Sequence, residues 1–359
     1  MTEGTSWDFT VLMPARNAAE TVVRALRSLR DPAIREIILI DDCSEDETRS
    51  LAQDLGDPRL RIVSPRDHRN LATVRNRGLK EVGTAWLIWC DADDTFAPDR
   101  VSQLAATLQT TGADCATDGV RLFDGPSGRF VRDLPIPDFL RDPSAACRLF
   151  ERNYLPSVGH LALRTALARA LLYDEEMNGG DDYDFALRLV RAGARFAFSS
   201  RLGYCMHAYP GSDSRSLSRQ NDMVSTALGK HSYADVRSRY RRAGYSHRVT
   251  AWGLCSMAIF RREFETALEF LEQGHPPGAS DSEILEPEGP NPYAEGWRSA
   301  FTRGTLLLLL EQWHNAIPCL ERAFEIRPSA EGANNLGVAL GRNGRNHESQ
   351  GLFEMALEL

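Results

Sequence analysis

Short apolar runs alternate with helical spacing over the first hundred residues, and this alternation restricts the chain to a few layered folds. Residues 10–13 are apolar and end at Pro14, after which Val22, Val23, Leu26 and Leu29 recur three and four apart, as on one helix face. A second, β-branched run at residues 37–40 closes on Asp41 and Asp42, and Ser44 with Glu47 predicts a capping box opening the next helix. Residues 60–63 predict a third strand and residues 72–82 its helix. Residues 85–90 are apolar on both faces, as in a central strand covered by helices, and Pro98 marks the first turn of another helix. The expected fold is α/β and doubly wound, with its ligand at the carboxyl ends of the strands.

The pattern loosens after residue 115. A strand is predicted at 116–123, a helix at 144–151, a strand at 158–163 and a firm helix at 181–191 carrying Phe185, Leu187, Leu189 and Val190, so this half of the sheet is expected to be mixed or antiparallel. Beyond Ser218 the chain reads as helical and Arg-rich, and the acidic Pro/Gly stretch 276–292 reads as a linker. Gly304, Ala316, Leu320 and Ala323 recur 33 residues later as Gly337, Ser349, Phe353 and Ala356. This resembles tetratricopeptide repeats, with residues 252–271 as a degenerate further copy; two ordinary helical hairpins are the alternative. Since lone repeats cannot bury their apolar faces, the tail should pack on the first domain, on another subunit or on a protein partner. The expected division is an α/β domain over 1–230, a connector over 231–292 and an all-α helical-repeat domain over 293–359.

Composition excludes several classes. A net charge of −8 over 359 residues gives no electrostatic footprint for nucleic acid. Seven scattered cysteines without a C-x-x-C pair read as buried thiols of a reducing compartment. Residues 1–8 lack a signal pattern and the longest apolar run, 306–310, is too short for a transmembrane segment, so a cytoplasmic location is expected.

Chemistry concentrates in three places. Asp91-Ala92-Asp93-Asp94 leaves the apolar strand, and alternate carboxylates there can hold a hard divalent cation, Mn2+ or Mg2+, which in turn neutralises a diphosphate; a solvated acidic loop is the alternative. Gly179-Gly180-Asp181-Asp182-Tyr183-Asp184 opens the helix at 181, where helix capping explains some of the acids and a general base, Asp182, another. The loop Pro14-Ala15-Arg16-Asn17 and the turn Asp41-Asp42-Cys43-Ser44 flank the crevice between the first two strands, where an Asp can accept from a base or ribose while Arg16 faces negative charge. Asn17 and Ser44 can equally be N-caps. Arg75 can reach the same crevice or lie on the surface.

Taken in order, the P-x-R-N loop, the I-D-D-x-S strand end, the R-N-x-G helix start and the D-x-D motif resemble the inverting family 2 glycosyltransferases. These have a GT-A fold, the Rossmann-like fold of nucleotide-diphospho-sugar transferases. Gly180-Asp181-Asp182 is similar to that family's later G-E-D segment, with Asp181 in place of Glu. The resemblance implies a nucleotide held by Asp41 and the 14–17 loop, a metal bound directly by Asp93, Asp91 facing the sugar or ribose, and Asp182 as base. It also implies that His207 can join Asp93 and Asp91 at the metal, with an ordinary surface histidine as the alternative. On the acceptor side the expectation falls on residues 154–163 with His160, and on Asp181, which departs from the pattern. The combination with a repeat tail resembles certain peptide S-glycosyltransferases. The expected activity is transfer of a sugar from a nucleotide-sugar donor, UDP-linked, to a hydroxyl or thiol acceptor. A sugar nucleotidylyltransferase of related fold and an inactive scaffold are the rivals; the first lacks a glycine-rich triphosphate loop here.

Overall fold

A computed structural model describes residues 7–65, 67–156, 158–210, 217–277 and 296–359. The predicted linker at 276–292 and the predicted polar N-terminus thus lie mostly outside the described residues. Among them a sheet holds β1 (Phe9–Ala15), β2 (Ile34–Asp41), β3 (Leu60–Val63), β4 (Trp86–Trp89), β5 (Thr95–Phe96), β6 (Cys115–Asp124), β7 (Phe130–Leu134), β8 (Ala162–Arg164) and β9 (Phe196–Ala208). Its order is β3-β2-β1-β4-β8-β6-β9-β5, with β7 paired to β6. The first four strands are parallel, which brings the ends of β1, β2 and β4 to one edge. β8 runs antiparallel to β4 and β6, and β9 parallel to β6, so the second half is mixed.

The four predicted early strands all form, and β1, β2 and β4 do so for the reason expected: they are buried on both faces, with Val11, Leu12, Ile37, Ile38, Leu87 and Ile88 all at 0% exposure, while β3 at the sheet edge is only partly covered. Helices α1 (Val22–Ser28), α2 (Thr48–Asp54), α3 (Leu71–Glu81), α4 (Arg100–Thr111), α5 (Thr165–Leu171), α6 (Asp181–Ala192) and α7 (Leu217–Gly229) complete this unit. The Asn70 side chain caps α3 by accepting from the Thr73 N–H at 2.9 Å. The Ser44–Glu47 capping box does not form. Ser44 Oγ instead accepts the Asn17 N–H at 3.0 Å and Asn17 Oδ1 accepts the Glu45 N–H at 2.9 Å, so both residues latch the first two strand-end loops together.

Two further expectations are corrected. Residues 143–150 are 3-10 turns and not an α-helix, and the buried Arg148–Glu151 ion pair has the three-residue spacing that such turns stack. Of the strand predicted at 158–163, residues 158–160 form a 3-10 turn and only Ala162–Arg164 pairs.

The chain divides into two compact units, residues 1–146 with 153–227, and residues 147–152 with 228–359. The second is helical: α8 (Tyr233–Arg242), α9 (His247–Phe260), α10 (Phe264–Gly274), α11 (Trp297–Leu309), α12 (Trp313–Ile326), α13 (Ala330–Arg342) and α14 (Asn346–Glu358). The 33-residue shift is visible in its packing. A Cβ on Gly304 would meet Leu320 Cγ at 2.6 Å, and one on Gly337 would meet Phe353 Cε1 at 2.9 Å, so equivalent small-to-large contacts bring each helix pair together. Among the described residues no helix is long and apolar enough to cross a membrane.

One glycine carries unusual weight in the first unit. Arg100 and Asp118 form an ion pair at 2.8 Å with side chains at 0% and 3% exposure, and a Cβ on Gly203 would lie 2.1 Å from Asp118 Oδ2 and 2.7 Å from Arg100 Cγ. Gly203→Ala must therefore displace a buried ion pair. We expect it to destabilise the protein by about 3 kcal/mol, while Gly193→Ala, which meets no neighbour, reflects backbone strain alone at about 1 kcal/mol. Denaturant melts of the two variants check this difference.

Candidate active site

Three strand ends supply a cleft. Its volume is about 660 Å³, and its walls include Pro14 to Ala18, Asp42, His68, Arg69, Asp91, Ala92, Asp93 and Tyr209. The structure thus gathers the 14–17 loop, Asp42 and the first part of the acidic motif around one space. Asp41 is turned away from it: the residue is 5% exposed and accepts from the Ser44 N–H at 3.2 Å and Ser64 Oγ at 3.4 Å. Its neighbour Asp42 lines the cleft and holds the His68 imidazole through Oδ2, while its buried Oδ1 has no hydrogen-bond partner among the described residues. Arg75 neither lines the cleft nor lies on the surface. It is 3% exposed, donates to Asp181 at 2.6 Å, and its guanidinium lies 5.3 Å from the Tyr173 ring centroid and 5.8 Å from that of Trp89.

The three carboxylates after β4 have three different surroundings. Asp94, 4% exposed, accepts from the Tyr204 hydroxyl at 2.6 Å and from the His207 N–H at 2.7 Å. Burial and the charges of Asp93 and Asp91 push its pKa well above the usual range. Asp91 accepts from or shares a proton with His160 Nε2 at 3.0 Å; burial would raise it, but His160 and Arg75 hold it down at about 2. Asp93 lines the cleft, and burial together with Asp91 raises it to about 6 against the smaller opposing pull of His160 and Arg24. Arg24 approaches this loop from α1, donating to the Asp93 carbonyl at 2.6 Å and to the Tyr209 hydroxyl at 3.2 Å.

Such a set of hard oxygen donors, two of them disfavoured as anions by burial and by their neighbours, fits a divalent cation. Asp91, Asp94 and His160 offer ligand atoms within 4.8 Å of one another. Asp94 and His160, however, already spend theirs on Tyr204 and the loop. His207 meets the loop through its backbone, and its ring stacks on Phe123 with Nε2 3.3 Å from Thr95 Oγ1. Burial and nearby Arg24 lower its pKa to about 4, so its imidazole is neutral and able to ligate.

Asp182 enters from α6. Gly179 and Gly180, at φ 95° and 68°, make the turn before this helix, where a Cβ would strike Met223. No side chain caps α6. Asp182 Oδ1 accepts the Tyr183 N–H at 2.7 Å, while Oδ2 takes no hydrogen bond from the described residues. Its pKa is raised by burial and Asp181, against the opposing charge of Arg75. Asp182 is not part of the cleft wall that holds Asp93. What joins the two acidic motifs is Asp91, which lines the cleft and, like Asp182, lies in the field of Arg75 and His160. Sequence reasoning misses Arg24, His68, Arg69, Tyr204 and Tyr209, none of which belongs to a spaced motif; His160, expected at the acceptor, reaches Asp91 with its side chain.

Comparison with known proteins accords with this geometry. Residues 10–167 match the model of glycosyl transferase family 2. The succinoglycan biosynthesis protein ExoO of Rhizobium meliloti (strain 1021) is 30% identical over 221 residues, covering 58% of this chain and 63% of that protein. ExoU of the same organism is 31% identical over 218 residues, covering 57% and 63%. The chain thus spans less than two thirds of these relatives. Staphylococcus aureus TarS 1–349, solved with UDP, superposes with a TM-score of 0.50 at 17% identity, covering 98% of this chain and 91% of that one. The mannosyltransferase PcManGT from Pyrobaculum calidifontis, solved with GDP-Man and Mn2+, gives 0.50 at 16%, covering 94% and 86%. At these identities the likeness concerns the fold, which is GT-A followed by helices. Over residues 10–167 this chain is thus similar to glycosyl transferase family 2.

Proposed function

We propose that the chain transfers a sugar from a nucleoside diphosphate sugar, UDP-linked, to an acceptor hydroxyl or thiol with inversion, using Asp182 as general base. The observation that carries this is Asp182 Oδ2, which takes no hydrogen bond from the described residues and lies in the same electrostatic neighbourhood as the cleft residue Asp91. A base must have a lone pair free to take the acceptor proton, and a raised pKa gives that proton somewhere to go. Helix capping accounts for neither feature. The succinoglycan relatives support a sugar hydroxyl as acceptor over a thiol.

In this reading the 14–17 loop and Asp42 hold the nucleotide, with Asp41 behind them supporting the turn. Asp93 and Asp91, joined by His207, would hold Mn2+ or Mg2+, which when bound supplies positive charge to the departing diphosphate. Arg75 keeps Asp181 and Asp182 apart electrostatically, so that Asp182 alone faces the acceptor. The domain division at 1–230, 231–292 and 293–359 and a tetratricopeptide-like, partner-binding tail belong to the same proposal, supported by the repeated glycine contacts.

Three outcomes are expected. Asp182→Asn should lower turnover by about a thousandfold, with the dissociation constant for the donor unchanged in calorimetry; undiminished turnover removes Asp182 from the role of base. Deprotonation of Asp182 activates it, so kcat/KM should rise with pH through a limb above the ordinary carboxylate range, as its raised pKa requires; a pH profile measures this. Asp93→Asn should raise the Mn2+ concentration needed for half-maximal activity by about tenfold or more, as read in a metal titration. Diphosphate release from a nucleoside triphosphate and a sugar phosphate would instead favour the nucleotidylyltransferase.

A further inference from the structure

The short turn at residues 158–160 touches both halves of the site. On one side a Cβ at Gly159 would lie 3.0 Å from Asp182 Oδ2 and 3.3 Å from Arg75 Nη2, so the backbone here runs directly against the base. On the other side His160 Nε2 lies 3.0 Å from Asp91 Oδ2. The imidazole is unusually well fixed for a residue in a turn. Its ring stacks on Tyr204 at a centroid distance of 3.9 Å, its Nε2 is 2.7 Å from the Tyr204 hydroxyl, and its carbonyl accepts from Arg100 at 3.2 Å. The Tyr204 hydroxyl itself donates to Asp94 at 2.6 Å. With the phenol proton given to Asp94, the His160 Nε2–H is left to donate to Asp91 and to the phenol oxygen. Nδ1 is buried and finds no hydrogen-bond partner among the described residues, so none of them turns the ring elsewhere.

We propose that His160 is a positioning residue for the donor: it aims the Asp91 carboxylate into the cleft, and Tyr204 anchors it by tying its imidazole to Asp94. This rests on the transferase reading above, in which Asp91 faces the donor, and it moves His160 from the acceptor side to the donor side. Asp91 is the one acidic-loop carboxylate that is both cleft-facing and steered by a second side chain. A carboxylate free to rotate would meet the donor in several orientations, and holding it in one strengthens binding by removing that freedom. Arg100, locked on Asp118, extends the support to β6, and Gly203 leaves room for it.

The test measures calorimetric affinity for UDP-glucose and UDP-N-acetylglucosamine in the presence of MnCl2. His160→Ala should weaken binding of the donor that the wild type prefers by about tenfold to a hundredfold, the range of a hydrogen bond to a charged group. His160→Gln keeps an N–H near the same point and should restore affinity to within about threefold. Tyr204→Phe should weaken binding, and adding it to His160→Ala should weaken it no further, because Tyr204 acts on Asp91 through His160. A purely structural role would lower the melting temperature without this pattern of rescue and non-additivity. Wild-type affinity in folded His160→Ala, or no rescue by His160→Gln, overturns the proposal. Should His160→Ala fail to fold, unchanged affinity in Tyr204→Phe overturns it equally. The contact can also be read without any donor: 15N NMR should show an Nε2–H imidazole for His160 whose shift changes in Asp91→Asn, and an unchanged signal counts against it. Absence of binding to both nucleotide sugars in the wild type would instead count against the transferase reading, while the NMR result still decides the positioning contact.

Discussion

Buried charge organises the acidic site of this structure. The acidic loop after β4 and the acidic first turn of α6 are about ninety residues apart in the chain, yet the fold brings Asp91, Asp181 and Asp182 into the field of one guanidinium, that of Arg75. Arg75 serves because its charge is permanent and its planar fork can bond one carboxylate while its faces pack on aromatic rings. Burial would lower its pKa, but Asp181 and its other acidic neighbours keep it firmly cationic. The compensation is incomplete. Asp93 is left near 6 by burial and by Asp91, and that remaining imbalance is what a divalent cation would correct.

Much of the fold is legible in the sequence because the information is local. Strands buried on both faces write themselves as nearly continuous apolar runs, and β1, β2 and β4 appear where such runs occur. The helix opening at Asp181 begins at that residue for an equally local reason, two glycines at positive φ followed by an amphipathic stretch. Failures come where a side chain chooses a distant partner over a near one. Ser44 bonds the backbone of Asn17 instead of capping its own helix, and residues 143–150 follow the Arg148–Glu151 pair into 3-10 turns. β9 is hidden because Ser199, Ser200 and Arg201 interrupt its apolar pattern where its pairing with β6 shifts register. A strand that irregular is held by its neighbour, which spacing alone cannot reveal.

The site is legible by motif but not by orientation. Asp41 and Asp42 are adjacent, and adjacent residues leaving a strand point to opposite sides. Sequence can say that one of them faces the crevice; only the stacking of the strand ends decides that it is Asp42, with Asp41 folded back onto Ser44 and Ser64. The same holds for Arg75, whose position in α3 suits a cleft or a surface equally well until the acidic turn of α6 is placed against it. Arg24, Tyr204 and Tyr209 carry no pattern at all. They matter through contacts with loops far away in the chain, and composition gives no sign of that.

Within the acidic loop, neighbours differ because their surroundings do. Asp94 has both oxygens claimed, by a phenol and a backbone N–H, and so fixes the loop to β9. Asp91 is held by an imidazole that the same phenol restrains, and so has a preferred direction. Asp93 receives neither kind of support and faces open space. Chemically identical side chains thereby become an anchor, an oriented acceptor and an unsatisfied anion. The difference comes from Tyr204, whose single hydroxyl lies within hydrogen-bonding distance of both Asp94 and His160. Because the anchor and the oriented carboxylate share that one atom, a shift of β9 relative to β4 would disturb both together, and the geometry of the loop is as firm as the packing that holds the phenol in place.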